Sequence, residues 1–228
     1  MHIPDGFLSA DVAAATGVVA VAAVGYGLHR ANRTLDERQV PLLGVTAAFV
    51  FAAQMLNFPV AGGTSGHFLG AALATILLGP WLACLVIAVV LVVQAFMFAD
   101  GGVTALGANI VCMGVVGALG SGLMLRAGRA VLPPRRTPFL GLCGMTAWLA
   151  VVAGAAVASV LLAISGTVPL ATVLPAMLGV HVFIGIGEAA ITVAAVAAVL
   201  AVRPDLVAAA EHLEDEPVSA PAAGEALP

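Results

Sequence analysis

The chain contains no lysine, and eight arginines and twelve acidic side chains supply all its fixed charge over 228 residues. Charged residues make up 9% of it, against about a quarter in ordinary soluble chains. A nucleic-acid partner is not expected of so uncharged a surface. There is no GxxxxGK[ST] phosphate loop, so the chain carries no nucleotide hydrolase of that type. Cysteine is scarce: Cys84, Cys112 and Cys143 each sit in an apolar run, with no CxxC. That excludes a disulfide framework and a thiolate metal site and leaves them as packing residues. No basic stretch precedes the first apolar run, so no cleavable signal peptide is expected and the start of the chain stays on the protein.

What is abundant is apolar surface. Hydrophobic residues are 62% of the sequence and mean hydropathy is +1.14, which marks an integral membrane protein. A bilayer core takes about 20 apolar residues per helix. Runs near 7–28, 41–58, 81–99, 103–126, 139–164 and 176–202 qualify. The stretch 67–99 is too long for one span and is broken by Gly79-Pro80, where proline removes a helical hydrogen bond. Arginine decides between six spans and seven, because basic loops stay in the cytoplasm. Arg30, Arg33 and Arg38 form one group, Arg126, Arg129, Arg135 and Arg136 another, and Arg203 follows the last run. A short extra helix at 67–79 puts all three groups on one side. The expected fold is therefore all-α: a polytopic membrane bundle of seven helices, N-terminus outside and C-terminus cytoplasmic. Residues 1–203 form the transmembrane domain, and 204–228 an acidic Ala/Pro-rich cytoplasmic tail expected to be disordered.

The chemistry concentrates at the start, Met1-His2-Ile3-Pro4-Asp5-Gly6-Phe7. With a free terminus, the α-amine of Met1, the main-chain nitrogen of His2 and the His2 imidazole chelate a metal through fused rings of five and six atoms. One in-plane position remains, and His67, after Gly62-Gly63-Thr64-Ser65-Gly66, can fill it. The expected topology places both on the outer side. Taken singly, His2 is an interfacial histidine and His67 a helix-start histidine; it is their co-location that points to metal. Four nitrogens in a plane suit Ni²⁺ or Cu²⁺ and suit Co²⁺ less well. Binding should depend steeply on pH, since each donor must shed a proton. Asp5, Asn57, Ser65 and His181 are candidates to orient the imidazoles, although each also reads as a helix cap or packing group. Asp100-Gly101-Gly102 and Asn109 read as an outer turn or lid. Glu188, the one acid deep in a span, reads as a structural hydrogen-bond partner rather than a proton carrier.

The opening octapeptide, Gln54–Val60 running into Gly62–His67, the stretch Asp100–Asn109 and the segment His181–Glu188 together resemble the CbiM/NikM family over residues 1 to about 202. That family supplies substrate-capture subunits of energy-coupling-factor nickel and cobalt importers. The resemblance implies a six-helix core with one added N-terminal helix whose end inserts into the protein. It implies Met1, His2 and His67 as metal donors, and Ni²⁺ or Co²⁺ as transported substrate with no organic cofactor. It also implies a transmembrane coupling protein, cytoplasmic ATPase subunits and a small accessory membrane protein as partners, in the cell's inner membrane. Cobalt uptake for cobalamin biosynthesis is the alternative to nickel.

Two other classes fit worse. A metal channel or exporter needs a polar path, yet the spans are mostly Ala, Val and Leu. An intramembrane hydrolase on Ser65 and His67 lacks the GxSxG elbow that would expose a serine.

Overall fold

In a computed structural model of the chain, residues 1–60 and 64–213 are described. Seven apolar helices run through them: α1 (Ala10–Thr34), α2 (Val40–Gln54), α3 (Ala71–Leu78), α4 (Pro80–Met97), α5 (Leu106–Val131), α6 (Arg136–Ile164) and α7 (Leu170–Val202). Five are long and apolar enough to cross a bilayer; α2, with 15 residues, and α3, with 8, fall short of the usual span. The chain is a multi-pass membrane protein. The expected break appears where proline demanded it: α3 ends at Leu78, Gly79 takes φ +81°, and Pro80 opens α4.

Three local expectations are corrected. The reading was all-α, but Asn57–Val60 (β1) and Thr64–His67 (β2) pair as an antiparallel hairpin, Asn57 opposite His67. Asn57-Phe58-Pro59-Val60 is a poor helix former with a central proline, so α2 stops at Gln54 rather than reaching 58. His67 is accordingly the end of a strand, not the start of a helix. The middle of α5, Val111–Leu119, winds in the wide π form, a distortion that apolar periodicity does not encode.

Helices meet through small residues, as membranes favour. At the α1–α5 crossing a Cβ on Gly107 would stand 2.6 Å from the Gly17 Cα, so only glycine permits that approach. The α6–α7 pair packs along most of its length, fastened by Trp148 Nε1 donating to Val182 O at 3.2 Å. Arg30 lines a cleft with Gly79 and Pro80, and Pro80 lines another with Arg126 and Arg129, which gathers those arginines at one end of the bundle. Arg129 also donates to Ala209 O at 3.1 Å. Val207, Ala209 and Ala210 are buried there beside Ile76, Leu125 and Phe139. The packed body thus continues beyond Arg203 to Leu213; the rest of the acidic tail, like Gly62 and Gly63, lies outside the described residues.

Candidate metal centre

The first nine residues precede α1 and tuck into the opposite end of the bundle. Met1 and Ile3 have no exposed surface, and His2 keeps 4%. The Met1 side chain lies against α6, where a Cβ on Gly154 would be 3.1 Å from its Sδ. Ile3 is clamped by Asn109 of α5, whose Oδ1 accepts from Ile3 N at 2.8 Å while its Nδ2 donates to Ile3 O at 3.2 Å. Gly102 N donates to the same carbonyl at 2.9 Å. A Cβ on Gly102 would stand 2.3 Å from Asp5 N, so this turn lies flat on the N-terminal segment only because it is glycine. Asp5 Oδ1 accepts from Thr104 N at 2.7 Å and from its hydroxyl, and Thr167 Oγ1 donates to Phe7 O.

This clamp sets the imidazoles. His2 Nε2 lies 3.1 Å from Gln94 Oε1. An amide oxygen only accepts, so Nε2 carries the proton and Nδ1, the chelating nitrogen, offers its lone pair. His67 Nδ1 lies 2.8 Å from the Phe68 carbonyl, which fixes the opposite tautomer and leaves Nε2 as the lone pair. Both free nitrogens are buried without a hydrogen-bond partner among the described residues. The two ring centroids are 4.4 Å apart with planes inclined at 28°. Two imidazoles bound side by side on one ion, with metal–nitrogen bonds of about 2.0–2.1 Å, bring their centroids to about 4.5 Å. The observed ring separation is close to that value. His67 is held in turn: Gln54 Nε2 donates to Leu69 O at 2.8 Å, and Glu188 Oε2 and Oε1 accept from Leu69 N at 2.6 Å and Gly70 N at 2.8 Å.

Burial removes protons from these groups. It pushes the Met1 amine down from 8.0 to about 5, against the opposing pull of Asp100 and Cys112. Burial and then the neighbouring amine push His2 to about 4, against Asp100 and Gln94. His67 lies well below 6.5 through burial, the Met1 amine, and then His2 and His181. Near neutral pH all three are uncharged.

The candidate orienting residues divide. His181 on α7 is buried close to His67, its Nδ1 bonded to Met177 O at 2.7 Å and its Nε2 unpartnered. Asn57 reaches the site through Asp100, donating Nδ2 to Oδ2 at 3.3 Å. Asp5 is exposed and ties the N-terminal segment to Thr104 rather than touching an imidazole. Ser65 pairs with Pro59 in the hairpin. Gln94 was not foreseen, although a lone amide in the apolar run Leu91-Val92-Val93-Gln94-Ala95 was its signal. Among the described residues no three His, Cys, Asp or Glu side chains form a metal cluster. Asn109→Ala should leave both polar groups of Ile3 short of their amide partner, free His2 to swing, and weaken metal binding about 10–100-fold in a calorimetric titration.

The family described as "Cobalt uptake substrate-specific transmembrane region", CbiM, matches residues 2–206. A putative fused nickel transport protein of Archaeoglobus fulgidus is 39% identical over 209 residues, 91% of this chain and 68% of that protein. A putative metal transport protein of Haloquadratum walsbyi is also 39% identical over 209 residues, covering 91% of this chain and 93% of its own length. Among solved structures, a truncated transition-metal transporter superposes with a TM-score of 0.81 at 30% identity, over 88% of this chain and 99% of that one.

Proposed function

The chain belongs to the CbiM family of membrane proteins for nickel and cobalt transport, and from that premise we propose that it is the metal-capture subunit of an ATP-driven energy-coupling-factor importer. With Met1 as the first residue, the ion is held in a plane by the Met1 amine, the His2 main-chain nitrogen, His2 Nδ1 and His67 Nε2. The observation that carries this reading is the pair of buried, unpartnered lone pairs on His2 and His67, fixed by opposite tautomers beside the chain terminus. A buried polar atom without a partner is costly, and a metal is the partner these two lack. Four nitrogen donors in a plane favour Ni²⁺ over Co²⁺.

In this reading the chain passes seven times through the cell's inner membrane, the short α3 making its pass together with the segment that leads into it, with the metal end outside and the arginine end in the cytoplasm. A transmembrane coupling protein, ATPase subunits and a small accessory membrane protein complete the importer and supply its energy. The capture domain runs past the expected boundary at Arg203 to Leu213, and the acidic tail beyond is a cytoplasmic appendage.

Titration of the purified, untagged chain with Ni²⁺ and Co²⁺ tests the proposal. Ni²⁺ should bind one per chain with a planar, diamagnetic spectrum, and Co²⁺ more weakly. The sign of the pH dependence follows from the depressed values. A base whose affinity for protons is lowered yields to metal at lower pH, so affinity should climb steeply only up to about pH 5, where the amine sheds its proton. Above that, release of the His2 amide proton alone leaves a slope near one decade per pH unit. A steep slope persisting to pH 8 would mean that the amine is not buried as described.

A further inference from the structure

We propose that Asp100 forms a second ion-binding station, ahead of the four nitrogens, whose carboxylate takes the divalent cation from water and passes it to His2 Nδ1. The inference rests on the metal-capture reading above. Because Gln94 accepts from His2 Nε2, His2 Nδ1 presents a lone pair, and Asp100 Oδ1 lies 3.5 Å from that nitrogen with no hydrogen bond between them. Two acceptors this close repel unless a cation lies between them. With bonds of about 2.0–2.2 Å, one ion bound to both atoms sets them about 2.9 Å apart at a right angle and about 4.2 Å apart in line. The observed separation falls inside that interval.

The surroundings grade from wet to dry along the same direction. Asn57, which donates to Asp100 Oδ2, is exposed, and the Asp100 side chain keeps 15% exposure. The His2 side chain keeps 3%, and Met1 and His67 none. The carboxylate is held in place: Asp100 N donates to Gln94 O at 3.1 Å, and the preceding Ala99 takes φ +52°, a region that residues with a side chain seldom adopt. Gly101 lets the turn lie on the ring, since a Cβ there would stand 3.2 Å from His2 Cδ2. An anionic group at the mouth of an apolar site concentrates cations and raises their association rate.

Stopped-flow mixing of the full, untagged chain in detergent with NiCl₂, followed by the nickel absorption band, tests this. Wild-type association should slow as salt is raised, as expected for capture by a charge. Asp100→Asn should slow it about tenfold at low salt and flatten the salt dependence, whereas Asp100→Glu should stay within about threefold of wild type. Asn57→Ala removes a hydrogen bond but no charge and should also stay within about threefold. A salt-independent wild-type rate overturns the station, as does an unchanged rate in Asp100→Asn. Equal slowing by Asn57→Ala overturns it too, because the shape of the turn rather than its charge would then control capture. Absence of saturable Ni²⁺ binding by the wild type overturns the capture reading and the station with it; saturable binding with unaltered rates overturns the station alone.

Discussion

A short Gly-Ser-Gly-Ser extension ahead of Met1 should weaken Ni²⁺ binding at least about a thousandfold, about 4 kcal/mol in binding free energy. Two separate causes act in the same direction. The amine becomes an amide, so the five-membered ring of the chelate loses its donor. The added residues also have nowhere to go: Met1 has no exposed surface, its sulfur lies against Gly154, and Ile3 is fixed on both sides of its peptide unit by Asn109. His67→Ala separates the two causes, because it removes a donor and leaves the terminus seated. It should cost a comparable amount without lowering the thermal unfolding midpoint by more than a few degrees. Equilibrium dialysis of the extended, variant and untagged proteins gives the comparison. If the extended chain binds within tenfold of the untagged one, the terminus is not a ligand.

Glu188→Ala should lower stability and metal affinity together. Its two carboxyl oxygens satisfy the main-chain N–H groups of Leu69 and Gly70, at the point where β2 turns into α3. Each buried donor left unpaired costs about 1–3 kcal/mol, so about 2–6 kcal/mol is at stake for the two. Leu69 is two residues from His67, so the same loss loosens a metal donor, and affinity should fall about tenfold. Glu188→Gln keeps one acceptor oxygen and should retain about half of both effects. Thermal unfolding in detergent and metal titration read the two quantities. A lowered melting midpoint with unchanged affinity would reduce Glu188 to a cap on α3.

The sequence was most legible where a residue has few physical alternatives. Apolar runs announced the membrane helices, and Gly79-Pro80 announced the break between α3 and α4. Less legible were contacts set by tertiary approach. The pairing of Asn57–Val60 with Thr64–His67 is a contact between strands, which apolar periodicity does not report. Asn109 read as an ordinary turn residue because nothing local shows that Ile3, 106 positions earlier, will present its peptide to it. Gln94 was passed over for the same reason: its partner, His2, lies 92 positions away. The seat of Met1 is written in the absence of a side chain at Gly154, and a glycine in an apolar helix has many uses. The tail boundary at Arg203 followed composition, whereas the buried Val207 and Ala210 belong to the same bundle as the residues before them.

The burial of Met1 also has a consequence for how the protein is made. With Met1 as the first residue made, it is among the last to find its place, because its sulfur lies against Gly154 of α6. At about 5–20 residues per second, synthesis as far as Gly154 takes roughly 10–30 s. Throughout that interval such a terminus would stand open to the enzymes that trim and deformylate new chains, and afterwards it would be closed to them. A terminus finished too slowly, or trimmed by one residue too many, would be sealed in with its chemistry wrong, so maturation of this site is a race against its own folding.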